Sequence, residues 1–277
     1  TKASYRLVAG DTVSMPVPFP KTLDEKPKLK FDPLLEKELI DSIIFKDEYL
    51  IAINKPEGLA SQGGSYQGDR HIDAYKSTLQ FDSNEAPRLI HRLDKDTSGV
   101  LLLARNAKAA NIFTSLFRQK LIEKVYWALV EGVPRKEEGI VESYIGKLDI
   151  WSPNFQKDRF REKSRWNKET TKKALSYYRV IEQVGSQYSW LQLKPATGRT
   201  HQLRIHCAEL GTTIVGDRKY RNSQSRNSKD IPIASKKLFL HAKSLTFMHP
   251  VSKKTTIIEA ELPKHMSLVW KRFGWGI

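Results

Sequence analysis

The chain reads as an α+β protein built on one mixed, largely antiparallel sheet with flanking helices. Three observations predict this. Strand-like runs outnumber helical ones, Ala174–Pro195 has the texture of a hairpin, and no regular strand–helix alternation of a doubly wound fold runs through the chain. At 277 residues and 39% hydrophobic, it is long and apolar enough to bury a substantial core.

The elements follow in order. Tyr5–Asp11 ends in a Gly-Asp turn, and from about Pro16 to Pro33 the chain is rich in Pro, Lys and Asp, with few aromatics and no period. Residues 1–36 are therefore expected to be the tail of a small module plus a tether, and residues 37–277 one large domain. From about Asp41 the texture changes. SIIFKDEYLIAINKP reads as two strands around a Lys-Asp-Glu turn, bounded by Pro56 and Gly58. Gly99–Arg105 (GVLLLAR) is a continuous apolar run of the buried-strand kind. Ala107–Ile122 spaces Ile112, Leu116 and Phe117 at helical intervals, with Ala109 and Leu121 extending the face. Strands are expected over Lys124–Glu131, Ile140–Ile145, Ala174–Val184 and Tyr188–Pro195. Arg199–Leu210 (RTHQLRIHCAEL) reads as a helix with Gly211 as its C-cap. LFLHAKSLTFMHP and TTIIEAEL close the sheet, and Lys264–Phe273 forms a last helix.

Charge narrows the partners. Lys and Arg outnumber Asp and Glu 47 to 31, a formal net charge of +16. The first fifty residues are close to neutral, so the rest of the chain carries the excess. Stretch 157–173, which includes Lys157, Arg159, Arg161 and Lys163, has eight basic and three acidic side chains. Stretch 218–229 has five basic side chains and no acidic one. Either run alone reads as well as a solvated face. Together, each with an aromatic (Trp166, Tyr220), they point to a polyanion. Nucleic acid leads over an anionic membrane surface, because no basic amphipathic helix argues for the latter. No apolar run reaches the ~18 residues of a membrane-spanning helix, so a soluble chain is expected. A single cysteine, Cys207, excludes a disulfide framework, and no Cys-x-x-Cys pair or metal-ligand spacing suggests a metal.

Phosphate-loop, dinucleotide, zinc-protease and nucleophile-elbow motifs are all missing, and no cofactor is expected. Two polar clusters remain. Arg88–Arg105 sets His91, Arg92, Asp94, Lys95 and Asp96 directly before the buried strand. A polar loop at a sheet edge is a usual place for function, while Asp-Lys-Asp neutralising itself in a surface turn is the equally good plain reading. The second cluster, Lys194–Tyr220, concentrates Arg, Thr, His and Gln. An arginine from it, meeting an aspartate of the first, would keep that carboxylate ionised through opposite charge.

Here the sequence resembles a known family. His91-Arg92-Leu93-Asp94, followed by Thr97-Ser98-Gly99 and an apolar strand, resembles the catalytic motif of the RluA-type pseudouridine synthases. Asn54-Lys55-Pro56-Glu57-Gly58-Leu59 is similar to the family's early strand-turn, and Lys124–Ala128 with Gly132 to its tyrosine segment. Thr197–His206 resembles its third motif, continued by Gly216-Asp217 and Tyr220. Leu240-His241-Ala242 and His249-Pro250 resemble its closing strands. These blocks run in order from about Asp41 to the C-terminus, with texture nearest the members acting on large-subunit ribosomal RNA.

The resemblance implies chemistry. Asp94 becomes the catalytic carboxylate, either as nucleophile on the ribose anomeric carbon or as base at the neighbouring ribose carbon. Arg204 becomes the residue that pairs with Asp94, Tyr126 the aromatic stacked on the uracil, and Leu203 the packing beneath it. Arg92 fills the gap left by the flipped uridine or contacts a phosphate. His91, Arg199, Thr200 and His201 join the substrate-binding set, with Lys157, Arg159, Arg161 and Lys163 as its electrostatic track. Tyr5–Asp11 is similar to the end of the small RNA-binding module, named for a ribosomal protein, that precedes many family members; residues 1–36 would then be its remnant plus linker. The chain opens on Thr1 and not Met, and a missing module or a removed targeting segment is the expectation. The expected protein is an RNA-binding monomer acting on ribosomal RNA, with transfer RNA second. It is placed in mitochondria, or in the cytoplasm if bacterial. A catalytically silent RNA-binding or assembly factor on the same fold is the alternative, and a glycosidase using Asp94 and Asp96 is a distant third.

Overall fold

The computed structural model describes residues 8–12, 32–63, 70–146, 171–220 and 237–276. The chain divides into two compact units, Thr1–Asp32 and Pro33–Ile277. In the first, the Gly-Asp turn is present. The Asp11 amide donates to the Val8 carbonyl at 3.1 Å, and Asp11 Oδ2 accepts from the Val8 amide at 2.8 Å. The basic residues Lys157, Arg159, Arg161 and Lys163 lie outside the described residues, as does most of the expected tether.

The second unit begins at Pro33, ahead of the 36/37 boundary expected from composition. Pro33–Asp41 is helix α1, with a proline in its first position and Leu35 and Leu39 buried four apart on one face. Those leucines pack with Ile72, Tyr75 and Leu79 of a 3-10 helix, Ile72–Leu79. A short amphipathic helix beside a Pro-rich segment carries too few residues to announce itself by period.

Ten strands form one sheet among the described residues. They are β1 (Ile43–Lys46), β2 (Leu50–Lys55), β3 (Arg88–Leu89), β4 (Ser98–Ala104), β5 (Ile122–Glu131), β6 (Glu138–Gly146), β7 (Thr171–Val184), β8 (Tyr188–Pro195), β9 (Leu240–Met248) and β10 (Thr255–Glu259). Their order is β1-β2-β4-β9-β5-β8-β7-β6, with β3 also beside β4 and β10 beside β9. All pairings are antiparallel except β4–β9, a parallel seam of Ser98 with His241 and Gly99 with Ala242. The expected mixed, largely antiparallel sheet with flanking helices is the fold observed. Gly99 makes the seam possible. Its φ is +108°, and a Cβ there would lie 2.2 Å from the Ala242 carbonyl oxygen.

Strand β4 is buried along its whole length, which explains its unbroken apolar sequence. Helix α2 (Ala107–Arg118) packs Ala109 and Phe113 onto that half of the sheet. It stops four residues before the expected Ile122. Lys120 takes a left-handed φ of +60°, and the Lys120 and Leu121 amides close onto the carbonyls of Phe117 and Leu116. Ile122 is thereby released to start β5. Helix α3 (Gln202–Glu209) lies against β6–β8, and α4 (Lys264–Arg272) sets Trp270 against Trp190.

Candidate active site

The site assembles where the loop before β4 meets the start of α3. The backbone of the 93–97 turn is held at Leu93, Asp94, Lys95 and Thr97. Ser61 Oγ donates to the Leu93 carbonyl at 2.8 Å and accepts from the Leu93 amide at 3.1 Å. The Asp94 carbonyl accepts from the Thr97 amide at 3.1 Å, closing a turn. The Lys95 carbonyl accepts from the Gly58 amide at 2.9 Å and from Lys55 Nζ at 3.0 Å. Lys55 is fully buried, and its Nζ also donates to the carbonyls of Pro56 and Leu59, both at 2.8 Å. A buried ammonium is tolerated because all three donors find acceptors. Burial still pulls its pKa down to about 7, opposed by the negative charges of Asp96, Asp94 and Glu57. Two flanking residues face the cores below, Ile90 at 7% and Leu93 at 5% exposed, so the turn is clamped from beneath while the Asp94 side chain remains 31% exposed.

Tyr126 comes from β5. Pairing with β9 passes from Val125–Ser244 to Tyr126–Ala242, which leaves Lys243 as the extra residue of a β-bulge. Tyr126 packs against the buried cluster that includes Leu93 and Ala242. Burial, and then the negative charge of Asp94, push its phenol above the ordinary range, so it is protonated at neutral pH. Tyr126 thus lies against the cluster that holds Leu93, the chain neighbour of Asp94.

Arg204 comes from the first turns of α3. Its Nε and Nη2 donate to Asp217 Oδ2 and Oδ1, both at 2.7 Å, in a bidentate pair whose side chains are 8% and 1% exposed. The amides of Lys219 and Tyr220 donate to the same carboxylate at 2.8 and 3.0 Å. Burial works to raise the Asp217 pKa, but Arg204 and those amides outweigh it and hold it below the usual carboxylate range. The direct Arg204–Asp94 pair that the resemblance implies is therefore replaced. A carboxylate preorganised by two backbone amides takes the guanidinium fork, and Asp94 acts on Arg204 as a second, longer-range negative charge.

The other expected residues divide. His201 stands at the site, its Nε2 4.0 Å from Asp94 Oδ2. Leu203 is 7% exposed in the core against which Tyr126 packs. Arg92 and Thr200 are exposed. Arg199 turns toward β7, its Nε donating to the Lys173 carbonyl at 3.1 Å. His91, expected on the substrate, is instead tied into the scaffold. Its Nε2 accepts from the Leu102 amide at 2.9 Å, and its ring stacks on Phe117 at 4.5 Å. Burial, then Lys124, lower its pKa to about 3, which keeps that nitrogen an acceptor.

Four supporting residues were not in the expected set. Lys55 and Ser61 hold the Asp94 turn, Asp217 holds Arg204, and Gln202 ties the start of α3 to β7 through Leu175 and Ser176. Lys55 and Asp217 sat inside recognised blocks, but a lysine and an aspartate on a basic chain give no sign of burial.

A family model described as RNA pseudouridylate synthase matches residues 49–209. The chain belongs to the RNA pseudouridylate synthase family. Its matched span contains Asp94, Tyr126 and Arg204, and as an RNA pseudouridine synthase the protein is an isomerase. It is 35% identical over 266 residues to the ribosomal large subunit pseudouridine synthase C of Rickettsia typhi, covering 95% of this chain and 82% of that one. It is 37% identical over 238 residues to the mitochondrial RNA pseudouridine synthase 4 of Arabidopsis thaliana, covering 79% of this chain. This chain spans about half the length of the Arabidopsis relative, 50%. The solved human RNA pseudouridylate synthase domain containing 4 superposes with a TM-score of 0.72 at 28% identity, covering 88% of this synthase and 97% of the human chain.

Proposed function

We propose that this synthase isomerises specific uridines of large-subunit ribosomal RNA, in mitochondria, with Asp94 as the catalytic carboxylate. The observation that carries the reading is the clamped turn. It holds one partly exposed carboxylate near a half-buried tyrosine and a buried arginine–aspartate pair. Isomerisation breaks the N1–C1′ bond, rotates the base and forms C5–C1′; the C5 proton leaves and N1 regains one, so no redox partner is needed. Asp94 serves this either by attacking C1′ or by removing the neighbouring ribose proton, and both routes use the same carboxylate. Tyr126 supplies the ring against which the uracil stacks and faces its C5 proton. Leu203 supports that packing, and exposed Arg92 replaces the flipped base or holds a phosphate. Arg199, Thr200 and His201 flank the RNA path.

The +16 charge and the run Lys157, Arg159, Arg161 and Lys163 supply the phosphate track. Residues 1–36, with the Gly-Asp turn at Val8–Asp11, are read as the remnant of an RNA-binding module plus its linker. The names of the Rickettsia and Arabidopsis relatives support the ribosomal target and the organelle. Pseudouridine mapping in total RNA, with and without the protein, tests the target. Loss of a site confined to large-subunit ribosomal RNA is expected, and loss confined to transfer RNA would overturn that assignment.

A further inference from the structure

His201 occupies the N-cap of α3 yet makes no side-chain cap. Its backbone is left-handed, φ 55° and ψ 20°, an uncommon place for a residue other than glycine. Its side chain is used elsewhere. Nδ1 lies 2.9 Å from the Tyr220 hydroxyl, and Nε2 faces Asp94 Oδ2 at 4.0 Å. Tyr220 is held in turn, its amide on Asp217 Oδ1 at 3.0 Å and its ring 5.2 Å from the Arg204 guanidinium carbon. We propose that His201 is a positioning residue for Asp94, its tautomer fixed by Tyr220 so that the Nε2 proton faces the carboxylate.

The chemistry is directional. A phenol at 2.9 Å donates to an unprotonated Nδ1, which leaves the proton of a neutral imidazole on Nε2. That N–H stands about one ångström beyond hydrogen-bond length from Asp94 Oδ2, and closing that gap would engage one carboxylate oxygen and leave the other for the ribose. The groups facing the imidazole are Asp94 on the loop before β4, Arg204 on α3, and Asp217, Lys219 and Tyr220 on the segment after α3. Burial lowers the His201 pKa, Asp94 and Asp217 oppose it, and Arg204 and Lys219 reinforce it, so the neutral imidazole is favoured. Strain at a residue that caps nothing is explained if its ring must reach both Tyr220 and Asp94.

The inference rests on Asp94 being the catalytic carboxylate, so Asp94→Asn is run beside the variants. Pseudouridine formation on transcribed large-subunit ribosomal RNA is followed against pH for His201→Asn, His201→Gln and Tyr220→Phe. Asparagine tolerates the left-handed backbone and can still accept from Tyr220, but it is too short to face Asp94. About a tenfold fall in kcat with KM within twofold is expected for His201→Asn. For Tyr220→Phe, the acid limb of the kcat profile moves. Glutamine, which reaches toward Asp94 without titrating, recovers part of the rate and lacks the histidine limb. Wild-type kcat and pH profile in His201→Asn, or a loss confined to KM, overturns the inference while leaving Asp94 in place. Undiminished turnover in Asp94→Asn overturns the reading of Asp94 itself.

Discussion

A carboxylate at the end of a motif is useful only if the backbone beneath it cannot move. At Asp94 that support comes from atoms far apart in sequence: Ser61 on Leu93, and Lys55 and Gly58 on Lys95. Lys55 and Asp217 do opposite jobs by the same rule, a buried charge satisfied on every side. Asp217→Asn leaves the Arg204 guanidinium buried without its counter-charge, which for buried pairs costs about 3–5 kcal/mol. Urea denaturation at pH 7 is expected to show a loss of that size, with turnover falling in parallel. A change below about 1 kcal/mol would mean that solvent reaches Arg204 and the pair is not buried in function.

Among the elements, the seam between β4 and β9 matters most, because it joins the half carrying Asp94 to the half carrying Tyr126 and α3. His241 sits on it, fully buried. Its Nδ1 meets Ser98 Oγ at 2.9 Å and its Nε2 meets the Ala260 carbonyl at 3.3 Å. Burial first, against the Ala260 hydrogen bond, lowers its pKa from 6.5 to about 4. The unfolded chain takes up a proton below pH 6.5 that the folded chain refuses until about 4. Stability is therefore full above pH 6.5 and lost as pH falls toward 4, by about 3 kcal/mol for this group. His241→Gln should lower stability at pH 7.5 and flatten the slope between pH 6.5 and 4; an unaltered slope would show that His241 is not neutral in the fold. The strands of this seam were legible in the sequence as apolar runs, and α3 as a helix. The parallel pairing was not, since two residue pairs leave no periodic trace, and Gly99 reveals its purpose only once Ala242 stands 2.2 Å from its missing side chain. Helix α1 was hidden for a similar reason: its two buried leucines lie beside a Pro- and Lys-rich run.

For the whole molecule, charge and fold answer different questions. The motif blocks made Asp94, Tyr126 and Arg204 legible, because each stands inside a run of neighbours with a distinctive order. The partner of Arg204 was illegible, since the choice of Asp217 over Asp94 is decided by backbone amides that no side-chain pattern records. Net charge indicates RNA but not where it lies. Neutralising Lys157, Arg159, Arg161 and Lys163 together should weaken RNA binding and make its log–log salt slope shallower by about 3. Unchanged affinity and slope would reduce that run to a solvated face.

Catalysis is assigned to one carboxylate, and Asp94→Asn removes its charge directly. The substitution keeps the shape of a side chain whose neighbours on either side are held by their backbones, so the fold should persist. Single-turnover conversion of uridine to pseudouridine in the target RNA is the measurement, with RNA affinity taken on the same sample. Conversion should disappear while affinity stays within about twofold, since one negative charge is removed from a protein of net charge +16. Conversion at the wild-type rate would show that Asp94 is not the catalytic carboxylate.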